Sequence, residues 1–457
     1  MSLISALHNA SASLDVFSRA IDIEGGNVAN AATPGYAALR SSIQPIGTGG
    51  PEIGSDYIIL SSSGDFHADA RVQAATSDAS WSQGRVTALT PINGLFDITG
   101  SSGLLAAFQQ FSAAFSDLGV TPNDPALRST ALIAAGSVAT EFRKATSRVD
   151  QQTFQVDQDI QTTVANINSL AEVVRQANIR IRGLGQPDPG LEATRRAALE
   201  DLAGLTDITT TVSPDGSVMV LTGGQQPLVV GDQAYTLAVD TSAPPLAQVS
   251  SSGGGLSPGA YLGKLGALLE VRNNTLTSLV GGNGNTGSLN VLAKSFAIRV
   301  NALLSAGTDS QGTPGLPIYT FDATNDQNVA RTIVLDPAIG SSQLALATST
   351  SSNGNTATLT GLFQSSNPAD QVNGLSIANF FSAITSSVGQ QLADARDQVS
   401  VTQSSLTAAT AERQRVSGVS LDQAAISITS LQRYFEANAK LVSILDTLTS
   451  TEINLIR

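Results

Sequence analysis

Apolar side chains recur with helical spacing at both ends of this chain. Near the start they follow steps of three, four and seven residues, and they are Leu7, Leu14, Phe17, Ile21 and Val28. This spacing predicts an amphipathic helix with a coiled-coil-like seam, because residues seven apart lie on one helix face. Two glycines, Gly25 and Gly26, interrupt the pattern and are expected to weaken or kink the helix.

A turn is predicted directly after this helix, over the residues Asn30, Thr33, Pro34, Gly35 and Tyr36. Pro34 has no backbone N–H to donate, and it biases the residue before it toward an extended conformation. Gly35 supplies the positive φ that the residue after proline needs in a Pro-Gly turn. The sequence therefore predicts that the helix ends here and that an extended segment follows.

The far end of the chain repeats the helical pattern over residues 421–457. One row with seven-residue spacing holds Leu421, Ile428, Phe435 and Val442, and a companion row holds Ala424, Leu431, Asn438 and Leu445. A helix of that length spans about 55 Å at ~1.5 Å per residue. Its apolar stripe and that of the first helix each need a partner. Two alternatives stay open: the helices cover each other completely, or the pair keeps apolar surface that packs against further copies.

Helical periodicity also fills much of the middle of the chain. It predicts helices over 65–91, 102–118, 191–203 and 376–416, and a long helix that opens in the stretch TPNDPALRST (121–130) and runs to about 182, with a loop over 96–103. Between 206 and 230, Thr/Val runs broken by Pro214-Asp215-Gly216 and Gly223-Gly224 predict two β-hairpins. Residues 261–305 return to an interrupted helical pattern, and residues 317–375 are expected to form strands and polar loops.

These elements predict a mainly α fold with a β-rich insertion. We expect the N- and C-terminal helices, from 1–36 and 417–457, to form a coiled-coil domain. A helical-bundle shoulder domain is expected from 37–205 and 376–416. A central β-containing domain is expected from 206–375, with a helical segment around 261–305.

The charge balance limits the possible partners. The chain has 24 Lys+Arg against 37 Asp+Glu and a net charge of −13 at pH 7, which disfavours nucleic acid and anionic membrane surfaces because like charges repel. No run approaches the ~18 apolar residues of a membrane-spanning helix, so no membrane insertion is expected. The first twenty residues lack a basic n-region and a continuous apolar h-region, so we expect no cleaved signal peptide.

Candidate chemistry is sparse. The chain has no cysteine and two histidines, His8 and His67, which argues against a metal site and a Ser-His-Asp triad. Gly282, Gly284 and Gly287 match the letters of a dinucleotide fingerprint, but that fingerprint needs a preceding strand and helical sequence precedes them here. We interpret this segment as a loop. The sequence therefore predicts no enzyme, no cofactor and no metal.

Several stretches resemble the flagellar axial protein family of rod, hook and hook-associated proteins. Asn27, Ala29-Asn30 and Thr33-Pro34-Gly35-Tyr36 are similar to its N-terminal motif, and YFEANAKLV (434–442) is similar to its closing motif. Three further stretches resemble the hook-associated members, and they are RVSGVSLDQ (415–423), residues 95–128 and residues 195–229.

The resemblance implies a structural role at the hook–filament junction. In such proteins the terminal segments form a coiled coil that lines the inner tube, and the Thr-Pro-Gly-Tyr turn is where the chain leaves that tube. The implied partners are other copies in a ring, the hook protein, a second junction protein next to the filament, and a cytoplasmic export chaperone on the C-terminal helix. The implied location is extracellular, after export without cleavage of a leader.

Two other interpretations stay open at this point. The chain is a hook or distal-rod subunit of the same family, although its long helices at 130–182 and 376–416 disfavour that. Alternatively it is an extracellular adhesin or enzyme with helical stalks.

Overall fold

The structure is a computed structural model that describes most of the chain. It covers residues 3–45, 56–96, 102–184, 188–224, 226–241, 246–252, 254–255, 261–282, 284–349 and 351–455. Most of the predicted loop over 96–103 and the last two residues of the predicted C-terminal helix lie outside these ranges.

Helices make up most of the described chain, as the apolar periodicity predicts. They are α1 (Leu3–Ala29), α2 (Phe66–Asn93), α3 (Gly103–Val120), α4 (Pro125–Leu184), α5 (Pro189–Leu205), α6 (Gly263–Glu270), α7 (Thr277–Val280), α8 (Ser288–Ser305), α9 (Val329–Thr332), α10 (Gly354–Gly361), α11 (Ile377–Ser417) and α12 (Leu421–Leu455). A π-helix, Val271–Leu276, joins α6 to α7. The prediction of a mainly α fold is confirmed.

The strands are short and form small antiparallel sheets. They are β1 (Leu39–Pro45), β2 (Asp56–Ser62), β3 (Ile208–Val212), β4 (Val218–Thr222), β5 (Gln226–Val230), β6 (Gln233–Ala234), β7 (Leu237–Asp240), β8 (Gln248–Ser251), β9 (Gly254–Gly255), β10 (Tyr319–Thr320) and β11 (Val334–Leu335). The sheet orders are β1-β2, β3-β4-β5-β6, β7-β8-β9 and β10-β11. The two hairpins predicted between 206 and 230 are confirmed by the pairing of β3 with β4 and of β4 with β5.

The prediction of strands over 317–375 is wrong for most of that segment. Only the two-residue strands β10 and β11 form there, and short helices such as α10 occupy much of the rest of the described residues. Asparagine side chains start several of the helical turns, because Asn325 and Asn367 each accept a backbone N–H two residues further on. Buried Leu359 and Leu362 then follow helical spacing, which the polar composition of the segment concealed.

The expected weakening or kink at Gly25 and Gly26 does not interrupt α1, which continues through both glycines to Ala29. The carbonyl oxygen of Gly26 accepts the backbone N–H of Asn30 at 3.0 Å and its side-chain amide at 2.9 Å. These two hydrogen bonds fix the last turn and offset the conformational freedom of the glycines.

Contacts between Cα atoms divide the chain into two compact units. Unit 1 comprises Met1–Ala79, Ile167–Thr236 and Thr402–Arg457, and unit 2 comprises Ser80–Asn166 and Leu237–Val401. The residues of the predicted terminal domain all belong to unit 1. The residues of the predicted shoulder domain are divided between the units, because α2, α4 and α11 each contribute to both.

In unit 1, buried polar side chains attach the four-stranded sheet to helices. Asn178 on α4 donates to the carbonyl oxygen of Val218 and accepts its N–H, at 2.8 and 2.9 Å. Arg195 on α5 donates to the carbonyl oxygen of Gly216 at 2.7 Å, at the tip of the first hairpin. Because Asn178 is fully buried, its replacement would leave backbone groups of β4 without partners.

Unit 2 is built around a cluster of aromatic rings. Its members are Phe108, Phe111, Phe115, Phe142, Phe296, Tyr319, Phe363 and Phe381, and each is at least 94% buried. Ring centroids within the cluster lie 4.5 to 6.3 Å apart, the range in which aromatic pairs attract. The hydroxyl of Tyr319 donates to the carbonyl oxygen of Ala135 at 2.8 Å. The cluster gives unit 2 a core of its own.

Candidate assembly site at the chain ends

The helices α1 and α12 pack against each other in unit 1 and are called the terminal helix pair below. The segment that follows α1 meets the end of α11, where the N–H of Ala38 donates to the carbonyl oxygen of Ser417 at 3.0 Å, four residues before α12 begins at Leu421. Halfway along the pair, the rings of Phe17 and Tyr434 lie 5.9 Å apart. The end of one helix is therefore beside the start of the other, so the pair is antiparallel.

The predicted seam residues are only partly covered in this pair. Those that are half-buried are Leu7, Leu14, Phe17, Ile21, Ile428, Leu431, Asn438, Val442 and Leu445. Val28, Leu421 and Phe435 are exposed, to 40%, 56% and 37%. The deepest positions of α1 are instead Ala10, Val16, Ala20 and Asn27.

A second apolar stripe on α12 is largely uncovered. It follows steps of three and four residues, is called the outer stripe below, and consists of Tyr434, Ala437, Leu441, Ile444 and Leu448. Its four large side chains are 48% to 60% exposed. By helix geometry this row is rotated from the row of Leu431, Asn438 and Leu445 toward solvent, away from α1. Tyr434, the first residue of the outer stripe, contacts Phe17 of α1, whereas Leu441, Ile444 and Leu448 continue the stripe with about half of each side chain exposed. α12 therefore carries a second coiled-coil row that α1 leaves largely uncovered.

Asn27 joins the end of α1 to the extended segment that follows the turn. Its side chain pairs with both backbone groups of Leu39, accepting the N–H at 2.8 Å and donating to the carbonyl oxygen at 2.9 Å. The hydroxyl of Tyr36 donates to the same amide oxygen at 3.0 Å. Asn27 is 97% buried. Burial, with the nearby charge of Glu24, raises the pKa of Tyr36, so its hydroxyl stays protonated as a donor.

The predicted turn lies on α5 and has no room for a side chain at Gly35. Asn30 stabilises the start of the turn, because its carbonyl oxygen accepts the N–H of Thr33 at 2.9 Å. Gly35 has φ +72°, and an added Cβ would lie 2.6 Å from the carbonyl oxygen of Ala193. Arg196 on α5 donates to the carbonyl oxygen of Gly35 at 3.4 Å. Pro34 itself is exposed.

Charged side chains next to the turn form a chain of ion pairs. Arg196 contacts Asp69 at 3.3 Å and Glu192 at 3.4 Å, and Arg413 contacts Glu200 at 2.6 Å. Burial raises the pKa of the Asp69 carboxyl, and the positive charge of Arg196 only partly offsets this. The N-terminal turn of α2 is thus fixed to α5 by a carboxylate that is costly to bury.

The sequence pattern named most residues of this site but not the role of Asn27. Asn27 belongs to the N-terminal motif, yet the helical pattern alone gives a polar residue at this position no hydrogen-bond partner. The available signal was its position seven residues after Ala20, which places it on the most deeply buried row. Its hydrogen-bond partner at Leu39 depends on the path of the turn, which no periodicity encodes.

The glycine-rich segment at 282–287, which matches the letters of a dinucleotide fingerprint, does not belong to this site. Gly282 and Asn285 exchange backbone hydrogen bonds at 2.9 Å in a tight turn, which confirms the loop interpretation. Within the described ranges, no three His, Cys, Asp or Glu residues are grouped so that they could hold a metal ion. No helix among the described residues is long and apolar enough to cross a membrane.

The fold matches that of a solved flagellar protein. The structure of the flagellar hook junction protein FlgK from Burkholderia pseudomallei aligns with a TM-score of 0.67 and covers 76% of this chain and all of that chain, at 16% sequence identity. The class defined by this likeness is therefore a mainly helical protein with the fold of that structure. At this identity the likeness concerns the fold alone.

Family models identify the particular group. The model of the flagellar hook-associated protein FlgK helical domain matches residues 89–319, and the model of the flagellar basal body rod FlgEFG protein C-terminal region matches residues 412–455. Because the first match spans half of the chain, the chain belongs to the flagellar hook-associated protein FlgK family.

Curated relatives carry the same family name. Flagellar hook-associated protein 1 of Salmonella typhimurium is 24% identical over 75% of this chain, and that of Bacillus subtilis is 21% identical over 98% of it. The alignment spans 65% of the length of the Salmonella relative and 97% of the Bacillus relative.

Proposed function

We propose that this chain is a structural subunit of the hook–filament junction, where copies form a ring at the distal end of the hook. The observation that carries the proposal is the outer stripe of α12. A row of four large apolar side chains at coiled-coil spacing, each 48% to 60% exposed, is costly in water and favours a helical partner. Since α1 already covers the other face of α12, that partner comes from another molecule.

The family supports the choice of site. Its matched relatives are named hook-associated proteins, and the matched structure is titled a hook junction protein. The match of the helical-domain model over 89–319 disfavours the alternative of a hook or distal-rod subunit. The proposed contacts are with the hook protein, with a second junction protein next to the filament, and with a cytoplasmic export chaperone that covers the C-terminal helix before assembly.

We also propose that the protein is secreted with its N-terminal residues retained. The first turns of α1 begin at Leu3, and its buried face includes Ala10, Val16 and Ala20. Cleavage near residue 20 would remove most of the helix that pairs with α12. Mass spectrometry of the protein from isolated hooks should therefore find peptides that contain Leu7, and a mature N-terminus near residue 20 would contradict the proposal.

The test of the junction role is deletion in the source organism. Cells without the chain should assemble hooks of normal length but release filament subunits into the medium, because the proposed connection between hook and filament is missing. Complementation with the full chain should restore filaments, and immuno-electron microscopy should locate it at the hook end. Normal filaments on the deletion strain would show that the proposed function is wrong.

A further inference from the structure

Unit 1 contains an open groove that none of the roles above uses. Its volume is about 820 Å³, and it lies between the end of α1, the turn, the start of β1, the last turns of α4, and α5. Apolar side chains contribute most of its lining, and they include Ile23, Pro34, Leu39, Leu170 and Val173. The charged residues that line it within the described chain, Asp22 and Asp201, are both acidic and exposed.

The outer stripe has the complementary chemistry. Leu441 and Ile444 project from α12, and the exposed cations Arg433 and Lys440 flank the stripe along one edge. Glu436 lies about 40° further around the helix than Lys440 and about 60° further than Arg433, on the side away from Leu441. An apolar ridge with a basic edge therefore matches an apolar groove with an acidic rim.

We propose that the groove receives the outer stripe of α12 from a neighbouring copy, with Lys440 and Arg433 facing Asp22 and Asp201. This inference rests on the ring proposed above and names the surfaces that join its subunits. The contact is heterologous, because each copy offers its groove to one neighbour and its ridge to another. Heterologous contacts generate closed rings or helical arrays rather than isolated dimers.

The positions of the groove and of the outer stripe along the terminal helix pair predict how far two neighbouring copies are shifted relative to each other. The groove includes Leu39, which directly follows Ala38, and Ala38 donates its N–H to Ser417 at the end of α11, four residues before α12 begins. Lys440 lies nineteen residues beyond Leu421, or about 30 Å along the helix. A neighbour that inserts its outer stripe into the groove must therefore be shifted by about 30 Å along the axis of the terminal helix pair.

Cysteine cross-linking tests the contact, and the chain has no cysteine of its own. The groove variant is Thr194→Cys, at an exposed lining position, and the ridge variant is Ile444→Cys. Cells express both variants as full-length chains, and hooks are isolated under mild oxidation. A mixed 194–444 disulfide is expected, with little 194–194 or 444–444 product. The matched control replaces the ridge variant by Ile4→Cys, since Ile4 is similarly exposed but lies on α1.

Charge reversal gives an independent readout of the same contact. Asp201→Lys in the groove copy should lower the yield of the 194–444 disulfide up to about fivefold, the effect of an exposed ion pair. Lys440→Asp in the ridge copy should restore it. If Asp201→Lys leaves the yield of the 194–444 disulfide unchanged and Lys440→Asp does not raise it, the two side chains do not face each other.

The outcomes separate this inference from the proposed junction role. If the protein is located at the hook end but no 194–444 disulfide forms in the isolated hooks, the groove contact is wrong and the junction role stands. A predominance of 444–444 product would mean that the stripes pair with each other, which also overturns the groove contact. A small apolar molecule retained in native mass spectra of the purified chain, and lost on Leu170→Lys, would identify a different occupant.

Discussion

Two glycines ten residues apart should respond to the same substitution in opposite directions. Gly35 lies in the turn with φ +72°, whereas Gly25 lies inside α1 with no atom within 4 Å of an added Cβ. We expect Gly35→Ala to destabilise the packing of the turn against α5. We expect Gly25→Ala to stabilise α1.

The geometry sets the magnitudes. An alanine at positive φ costs about 1–2 kcal/mol, and its Cβ would lie 2.6 Å from the carbonyl oxygen of Ala193 and 3.0 Å from the backbone nitrogen of Ala197. Both atoms belong to the backbone of α5, so relief requires movement of a helix rather than a side chain. A total loss of about 2–4 kcal/mol follows. Gly25→Ala in an open helical position should gain about 0.5–1 kcal/mol.

Hydrogen exchange followed by mass spectrometry measures both effects locally. In Gly35→Ala, peptides covering residues 27–40 should exchange about 30-fold faster or more, since 2 kcal/mol corresponds to that factor in the opening equilibrium. In Gly25→Ala, peptides from α1 should exchange up to about fivefold slower. Peptides from unit 2 serve as the internal control and should not change.

One result would refute this reasoning. If Gly35→Ala leaves exchange over residues 27–40 unchanged while Gly25→Ala disturbs it, the close packing of the turn on α5 is wrong. The same result would restore the expectation that Gly25 and Gly26 interrupt the helix.

Three further substitutions test other contacts of unit 1. Asn27→Ala removes both hydrogen bonds to Leu39 and should lower local stability there by about 2–3 kcal/mol, seen as faster amide exchange of β1, whereas unchanged exchange would assign Asn27 no role. Asp69→Asn should flatten the pH dependence of the free energy of unfolding in urea. Because the pKa of Asp69 is raised in the folded state, its protonated carboxyl contributes stability below pH 3.8, and that stability is lost as the pH rises through the folded-state pKa. Leu431→Asp should leave the melting of unit 2 intact but abolish occupancy of hook ends, and wild-type occupancy would contradict the assembly role of the seam.

The sequence was sufficient for the long helices because their apolar periodicity is unbroken. The prediction of α12 from Leu421 onward and of α11 over 376–416 rested on that period alone. The spacing of apolar residues did not predict the secondary structure where local hydrogen bonds decide the backbone conformation. Residues 317–375 are rich in Ser, Thr and Asn, whose side chains start short helical turns as readily as they end strands.

The candidate site was only partly predictable for a different reason. Its turn was predicted from Pro34 and Gly35 because their backbone preferences are intrinsic to the residue type. The partners of the turn are not, since Arg196 and Ala193 lie more than 150 positions away in the chain and reach Gly35 only through the packing of α5. The groove beside them is likewise lined by residues from separate parts of the chain, 22–39 and 170–201. No pattern within either part predicts the groove.

Burial differs between the aromatic core of unit 2 and the terminal helix pair. In unit 2, rings such as Phe111 and Phe296 are fully buried, so that core is complete within one chain. Along the described part of α12, only Ala424 is buried, and Leu441 and Ile444 remain half exposed. Hydrophobic stabilisation scales with apolar area removed from water, so the terminal helix pair is the part of unit 1 with most to gain from a neighbour. A partner that binds only the folded pair stabilises it by mass action. In the proposed ring, therefore, the terminal helices are completed by assembly itself, while the aromatic core is already formed in the free subunit.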